Sequence, residues 1–387
     1  MFAKTTLSDW ENLVQKQLKT DDIHSVLQKE NLEGITVKPY HGSVARPLSL
    51  LPKVEESTQL VSRYAESLEE DVIAFLLEKN VENLEEKNIY INNKDLAEHI
   101  SPEETNSYYS LIDIFSESTG EMDRQLGTEL LAKAFNRNLC VDISLHQNAG
   151  AAIYQQLGIA LAKAKDLVEV YGAEVLGKLV FRFAVSANYF FEIAKIRAFK
   201  LVYAQFAKEY GLRSIPYIFV ETSLRNKSKN DPENNLIRST VELSAAMIGG
   251  ADAVFSNDYL LESGNSLSTE VSFKQQIVLA YESIINVFED GANGSYFVED
   301  ITRQLASKAW AFFVEMEQTG GYAEMMKKGE LQKLIYTQAL EEQKWLEEGR
   351  LKLIGVNMYP KLEKTREAGE LYSPTEIRAV RLAQMFE

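Results

Sequence analysis

Short apolar runs alternate with longer stretches of helical periodicity along most of the 387-residue chain. Seven runs are typical of buried strands, and they occupy residues 72–77, 88–91, 140–145, 179–185, 216–222, 252–256 and 294–299. A weaker eighth strand is expected within 103–135. Strands that alternate with helices form βαβ units and a parallel sheet. Because no glycine-rich turn follows the first strand, as a dinucleotide-binding half would need, the pattern predicts a (β/α)8 barrel rather than a doubly wound sheet.

The stretches between these runs carry clear helix signals. Residues 151–171 place apolar side chains at helical spacing, and a segment over about 187–210 ends at Gly211, a residue typical of helix C-termini. Pro232 predicts the first turn of a helix that runs to Gly249. The pattern continues with helices at about 269–289, 300–319 and 322–350, and with a brief strand at 351–360.

This organisation predicts three regions. Residues 1–58 should form an N-terminal helix and an extended arm, because helical spacing gives way to a stretch punctuated by prolines. Residues 59–360 should form the barrel domain, and residues 361–387 a C-terminal tail. The helical segment 187–206 is apolar on most sides, so we expect it to pack against the barrel and against a second surface.

The charge and the cysteine content limit the partners and the compartment. A formal net charge of −16 would repel nucleic acid and anionic membrane surfaces, so neither is expected as a partner. The one cysteine, Cys140, lies in an apolar run, which excludes a disulfide framework and favours a buried thiol in a reduced, cytoplasmic setting. The N-terminus has no apolar signal-peptide core, and no apolar run reaches membrane-spanning length.

Polar residues lie at or near the ends of several predicted strands. They are His146, Gln147, Asn148, Arg182, Glu221 and Asn257. In a β/α barrel such positions converge at the C-terminal face, where active sites form. On that interpretation His146 acts as a general acid–base and Arg182 as an anion clamp. The alternative is that they are the polar residues any barrel holds near its strand ends. No metal site is expected, because the four histidines do not pair at ligand spacing.

Several long segments, taken in order, resemble the methylmalonyl-CoA mutase family, and particularly its small subunit. They are the N-terminal tryptophan-containing helix, EGITVKPYH, VDISLHQNAGA, FRFAVSANYFFEIAKIRAFKLVYAQFA, DPENNLIRSTVELSAAMIGGADAVFSN, NGSYFVEDITRQLASKAWAFFVEMEQTGG, LIGVNMYP and RLAQMFE. The resemblance implies a (β/α)8 barrel with an N-terminal arm used for subunit contact. It also implies an isomerase that interconverts methylmalonyl-CoA and succinyl-CoA with adenosylcobalamin. In the family, acyl-CoA threads through the catalytic barrel, and cobalamin lies against its mouth on a C-terminal flavodoxin-like domain.

The sequence departs from the catalytic members where the resemblance implies an active site. The catalytic members carry a Tyr-His pair that aligns here with HQ (146–147) or with SL (144–145). Neither alignment places Tyr-His in this sequence. Their S-Q-T-S-G appears as VETSL (220–224), which introduces an acid, and their H-T-N appears as FSN (255–257). The region before residue 140 is much shortened. No D-x-H-x-x-G motif or cobalamin domain is expected after RLAQMFE.

Three hypotheses follow. In the first, the chain is the non-catalytic small subunit of a heterodimeric mutase: it binds no cofactor, the catalytic large subunit holds adenosylcobalamin, and a homodimer forms if that partner is absent. In the second, the barrel binds acyl-CoA with His146 and Arg182 and uses cobalamin from a separate polypeptide. In the third, His146 and Glu221 serve an unrelated activity. Bulky side chains inside the barrel would exclude threaded CoA, whereas a channel lined by small polar residues would favour the second hypothesis.

Overall fold

The chain folds into a (β/α)8 barrel, which confirms the predicted fold class. The computed structural model describes residues 5–42, 47–70, 72–261, 265–360 and 370–387. Its parallel strands are β1 (Gln59–Arg63), β2 (Ala74–Leu77), β3 (Asn88–Ile91), β4 (Ser107–Ser110), β5 (Leu139–Asp142), β6 (Leu179–Val185), β7 (Tyr217–Thr222) and β8 (Ala253–Phe255). They pair in the order β4-β3-β2-β1-β8-β7-β6-β5. Isolated parallel bridges, Tyr109 with Arg137 and Asp113 with Cys140, link β4 to β5, so the barrel is nearly closed.

The helices are unevenly distributed along the chain. They are α1 (Leu7–Leu18), α2 (Ile23–Leu27), α3 (Lys94–His99), α4 (Arg124–Leu131), α5 (Ser144–Asn148), α6 (Ile153–Tyr171), α7 (Tyr189–Glu209), α8 (Pro232–Ile248), α9 (Ser266–Ile277), α10 (Tyr296–Gln318), α11 (Gly321–Lys327) and α12 (Glu330–Glu347). Long helices follow β5, β6 and β7, whereas β1 and β2 are joined through one 3-10 turn, Glu66–Leu68. The second half therefore supplies most of the helical layer.

The helix α7, which is apolar on most sides, is covered by the barrel on one side and by another helix on the other. Phe199 and Tyr203 pack on Phe181 of β6, with ring centroids 4.8 and 5.4 Å apart. On its other side α7 packs against α10, where Phe206 meets Phe313 at 5.9 Å. The second surface expected for this helix is therefore α10 of the same chain.

The predicted strand at 294–299 is wrong, because these residues lead into α10. The local run Ser-Tyr-Phe-Val favours a strand, but the buried positions continue at helical spacing through Val298, Ile301 and Leu305. Glu299 is fully buried within the helix, and its Oε1 accepts a hydrogen bond from Arg197 Nη2 at 2.6 Å. The burial of one whole helix face against α6 and α7 thus outweighs the local preference.

The predicted strand at 351–360 is also wrong. Here the chain makes a tight turn in which an isolated bridge joins Ile354 to Met358. Gly355 at its centre has φ +78°, a left-handed conformation that reverses the chain and ends any extended run. The apolar residues of this segment belong instead to a small cluster in which Leu353 and Val356 pack on Leu346 of α12.

Other boundaries differ in smaller ways. The strand β1 was not among the seven predicted runs, because QLVSR has little apolar character of its own. Pairing with β2 and β8 defines it. The weak strand expected within 103–135 is β4. The helix expected over 269–289 ends at Ile277 and continues as one π-helical turn, Val278–Glu282.

Within the described residues of the N-terminal arm, the segment around Glu33 contacts the barrel helices more closely than α1 does. Around Glu33 the arm lies against α6, α10 and α12: Ile153 N–H donates to Glu33 Oε1 at 3.0 Å, and Gln338 donates to the Leu32 carbonyl at 2.9 Å. In contrast, α1 buries none of its residues. Among the described residues, no helix combines the length and apolarity that crossing a membrane requires.

Candidate functional site

The interior of the barrel is filled by side chains, most of them aromatic. Successive strand residues point to opposite faces, and the inward positions of β3, β4, β7 and β8 carry large rings. These are Tyr90, Tyr109, Tyr217, Phe219 and Phe255, each at most 5% exposed. Tyr90 stacks on Tyr109 with centroids 4.8 Å apart, and Tyr109 lies 5.0 Å from Tyr217. We call these five side chains the aromatic plug.

The hydroxyl groups of the aromatic plug are hydrogen-bonded to one another or to the neighbouring side chains of Gln59 and Glu55. The hydroxyls of Tyr90 and Tyr217 are 2.6 Å apart, and Tyr90 also donates to Gln59 Oε1 at 2.7 Å. Tyr109 donates to Glu55 at 3.3 Å. Burial raises the pKa of Tyr109 to about 12 and lifts the pKa values of Tyr90 and Tyr217 well above 10. The phenols therefore stay neutral, and the plug is an uncharged, tightly packed layer.

Above the aromatic plug, at the C-terminal end of the strands, Arg182 lies between two carboxylates. Its Nη1 is 3.1 Å from Asp142 Oδ2, and its Nε donates to Glu221 Oε2 at 3.1 Å. Burial raises the pKa of the Glu221 carboxyl, and the positive charge of Arg182 opposes this rise. We call these three residues the charged layer. Arg182 is thus neutralised by its own neighbours and is not free to clamp an anion.

His146 lies next to the charged layer and shares a small cavity with its Asp142. It is 3% exposed, and neither ring nitrogen has a hydrogen-bond partner. Its ring faces a cavity of about 80 Å³ that Asp113, Asp142, Lys163 and Tyr322 also line. Burial, reinforced by the charge of Lys163, holds the pKa of His146 well below its usual 6.5. The imidazole is therefore neutral, and its surroundings already contain an ion pair between Lys163 and Asp113.

Asn148 and Gln147 hold loops in place. Asn148 Oδ1 accepts hydrogen bonds from the backbone N–H groups of Leu224 at 2.8 Å and Arg225 at 3.1 Å. Ser223 donates to Gln147 Oε1 at 2.9 Å. These bonds fix the loop that follows β7 against the loop that follows β5. The main role visible for both amides is thus structural.

Asn257 is likewise used within the fold. Its backbone N–H donates to Thr222 Oγ1 at 2.9 Å, and its side chain donates to the Thr222 carbonyl at 2.6 Å, which ties β8 to β7. Asn257 also lines a cleft of about 530 Å³ at the barrel mouth. In this cleft Arg63 pairs with Glu78, and its guanidinium lies 5.4 Å from the centre of the Phe255 ring.

The six predicted site residues lie around the C-terminal ends of β5 to β8, but their functional atoms do not face one open site. Arg182 and Glu221 pair in the charged layer, and Gln147, Asn148 and Asn257 are bound to the residues that follow Glu221. His146 faces a small cavity that Asp142 also lines. Sequence reasoning missed the partners that neutralise these groups, Asp113, Asp142 and Lys163 among them. A lysine on the otherwise apolar face of the 151–171 helix was the available signal, since a buried lysine needs a buried acid.

The fold and the site together define a β/α-barrel protein whose interior is packed and whose polar residues at the mouth are mostly bound to one another. The sequence model of the family described as "Methylmalonyl-CoA mutase" matches residues 133–387 of this barrel, including β5 to β8 and the helices after them. The chain belongs to the methylmalonyl-CoA mutase family.

Individual relatives agree with this assignment. The chain is 31% identical over 264 residues to the methylmalonyl-CoA mutase small subunit of Streptomyces virginiae, which is 65% of this chain and 43% of that protein. It is 29% identical over 236 residues to the small subunit from Porphyromonas gingivalis (strain ATCC BAA-308 / W83), covering 58% of this chain and 38% of that protein. The large subunit from the same organism is 28% identical over 225 residues, covering 55% and 32%. The chain thus spans less than half the length of these relatives.

Proposed function

We propose that this chain is the non-catalytic small subunit of a heterodimeric methylmalonyl-CoA mutase, in which a large partner subunit interconverts methylmalonyl-CoA and succinyl-CoA. The aromatic plug carries this proposal. An acyl-CoA could not thread through the barrel unless Tyr90, Tyr217 and Phe219 left positions in which they are fully buried and hydrogen-bonded or stacked. The match to both small and large subunits of one organism supports a two-subunit arrangement.

The free surface of α1 is the best candidate for contact with the partner. This helix is a well-formed amphipathic segment with a Thr6–Asp9 capping box, yet Leu7, Leu13 and Leu18 are 48%, 55% and 41% exposed. A helix of this length is marginal alone in water, so its apolar face favours a partner surface. Binding there would stabilise the complex by mass action and would leave both barrels in a fixed arrangement.

We further propose that adenosylcobalamin is held by the partner and not by this chain. At the mouth of this barrel the chain's own residues 377–387 occupy the surface next to the β5 and β7 loops: Val380 N–H donates to the Asn148 carbonyl at 3.0 Å, and Leu382 N–H to the Arg225 carbonyl at 2.7 Å. His146 is buried in a small cavity that Ile377 also lines, so its imidazole would not be available to hold the cofactor. The described residues at the mouth therefore do not fit the cofactor.

The second hypothesis, an acyl-CoA barrel that borrows cobalamin from another polypeptide, has no specific observation in its favour. It would need Arg182 as a free clamp and His146 as an accessible acid, whereas the first is paired on both sides and the second is buried and neutral. The third, an unrelated activity at His146 and Glu221, would need both side chains to be available to one substrate, whereas Glu221 is paired with Arg182 and His146 is buried and neutral.

Co-purification tests the proposal. The chain is expressed alone and together with a tagged catalytic large subunit of the family, and both binding and mutase turnover are measured. We expect a stable one-to-one complex, turnover by the complex and none by the lone chain. The variant Leu13→Asp should weaken the complex by at least tenfold, whereas Ile237→Asp, at a position on α8 that is exposed to a similar extent, should not. Turnover by the lone chain, or no association, would refute the proposal.

A further inference from the structure

A pocket of about 280 Å³ lies outside the aromatic plug and the charged layer, where the arm meets the mouth side of the barrel. Its walls come from the loops after β5, β6 and β7, from the arm and from α12. Two amides, Gln147 and Asn226, and the ring of Trp345 contribute to the lining. Concave sites of this size with a few convergent polar groups are typical of small-molecule binding.

The ionic side chains that line this pocket are almost all paired with one another. Arg225 Nε lies 2.5 Å from Glu342, and Glu192 lies 2.5 Å from Lys195 just behind the wall. At the rim, Arg350 pairs with Glu30 and stacks 3.8 Å from the Trp345 ring, and Lys352 is exposed to solvent. The charges of these residues therefore largely cancel within the pocket wall.

Glu33 is different, because one of its carboxylate oxygens has nothing to bind. Oε1 accepts from Ile153 N–H at the start of α6, but Oε2 has no hydrogen-bond partner although the residue is only 8% exposed. Lys308 of α10 donates to the backbone carbonyl of Glu33 and not to the carboxylate. Burial raises the pKa of the Glu33 carboxyl to about 7, and the backbone N–H groups of Ile153 and Tyr154 oppose this rise. On α7, Glu192 adds to the rise and Lys195 opposes it.

We propose that this pocket binds a small organic cation with a primary ammonium group, which donates to Oε2 of Glu33. The ammonium group would donate a hydrogen bond to the unpartnered oxygen, which burial has separated from solvent. The apolar part of the ligand would lie against Trp345. An anion is disfavoured, because Glu33 is the acid that lacks a partner in the pocket wall. This site is independent of the role proposed for the barrel as a mutase subunit.

Binding of such a ligand is linked to the protonation of Glu33. The cation requires the ionised carboxylate, and a raised pKa means that the carboxyl of the free protein is mostly protonated at pH 6 and mostly ionised at pH 8. Affinity should therefore be about tenfold higher at pH 8 than at pH 6, and binding near pH 7 should release protons into the buffer.

Calorimetric titration with three probes of matched size tests the proposal: butylammonium, butanol and butyrate. We expect saturable binding of butylammonium alone, with one site per chain. The variant Glu33→Gln should lose at least tenfold in affinity, because an amide can still accept from Ile153 N–H but carries no charge. The matched control Glu11→Gln, on the detached helix α1, should bind as the wild-type chain does.

The pH profile of the unmodified chain provides a measurement that does not depend on the variant's folding. Equal binding of butanol and butylammonium, an affinity that does not change between pH 6 and pH 8, or no binding of butylammonium would each overturn the proposal. An unchanged affinity in Glu33→Gln with an intact circular-dichroism spectrum would do the same.

Discussion

The interior of the barrel and its mouth are built on opposite principles. In the interior, neutral aromatic rings pack on one another, and their hydroxyl groups are hydrogen-bonded to one another or to Gln59 and Glu55. At the mouth, charged and polar residues are numerous, but most are bound to their neighbours, and His146, whose ring nitrogens have no hydrogen-bond partner, is buried. The comparison teaches that polar residues at strand ends form an active site only where the fold leaves their functional atoms free and facing one another.

Removal of one ring from the aromatic plug should have the largest effect. Phe219 is fully buried, 5.2 Å from the ring of Tyr90 and 6.4 Å from that of Phe255. Phe219→Ala should lower the free energy of unfolding by about 3–5 kcal/mol, because it removes apolar burial and leaves a cavity. The half-exposed Phe288 is the matched control, and Phe288→Ala should cost less than about 1 kcal/mol. Urea unfolding measures both; equal losses would contradict a packed interior.

A change in the charged layer should have a similar but pH-dependent effect. Arg182→Met leaves Asp142 and Glu221 without their cation and should cost about 3–5 kcal/mol at pH 8. A carboxyl group whose pKa is raised in the folded state lowers the free energy of unfolding as the pH rises above the group's unfolded-state pKa. The cost of Arg182→Met should therefore be smaller near pH 5 than at pH 8.

The control for this second prediction is Arg213→Met, because Arg213 is exposed and its loss should be small at both pH values. A loss in Arg182→Met that is equal at pH 8 and pH 5 would show that the two carboxylates do not depend on Arg182.

The smallest effect is expected at His146. Its nitrogens have no partners, so His146→Gln should change the free energy of unfolding at pH 8 by less than about 1 kcal/mol. Because the folded-state pKa of His146 is lowered, the wild-type chain should lose up to about 1.4 kcal/mol per pH unit below pH 6.5, and the variant should lack this contribution. Urea unfolding of the wild-type chain and of His146→Gln at several pH values measures this contribution, and the difference between the two pH profiles separates it from that of other titrating groups. Parallel profiles would mean that the imidazole is already accessible to protons.

Much of the fold could be predicted from the sequence, because the buried strands β2, β3, β5, β6, β7 and β8 are continuous apolar runs. Periodicity also located α6, α7 and α8 within a few residues. The pattern did not predict the elements whose structure depends on contacts between residues far apart in the sequence. The strand β1 depends on pairing with β8, and the start of α10 depends on packing against α6 and α7.

The candidate site was less predictable for the same physical reason. The sequence places Arg182 and Glu221 within two of the predicted strands. The side of the strand on which each lies, and the partner that neutralises it, depend on the register of β6 against β5 and β7. The buried position of Cys140 could be predicted, and it is confirmed. The role of Glu33 could not, because the residue it contacts, Ile153, is 120 positions away along the chain.

Calorimetric titration of the purified chain with methylmalonyl-CoA tests the central claim most directly, with the catalytic large subunit titrated in parallel as the positive control. A barrel closed by Tyr90, Tyr109, Tyr217, Phe219 and Phe255 predicts no saturable binding up to millimolar ligand. Saturable binding with one site per chain would contradict a filled barrel and would support the hypothesis that the barrel binds acyl-CoA.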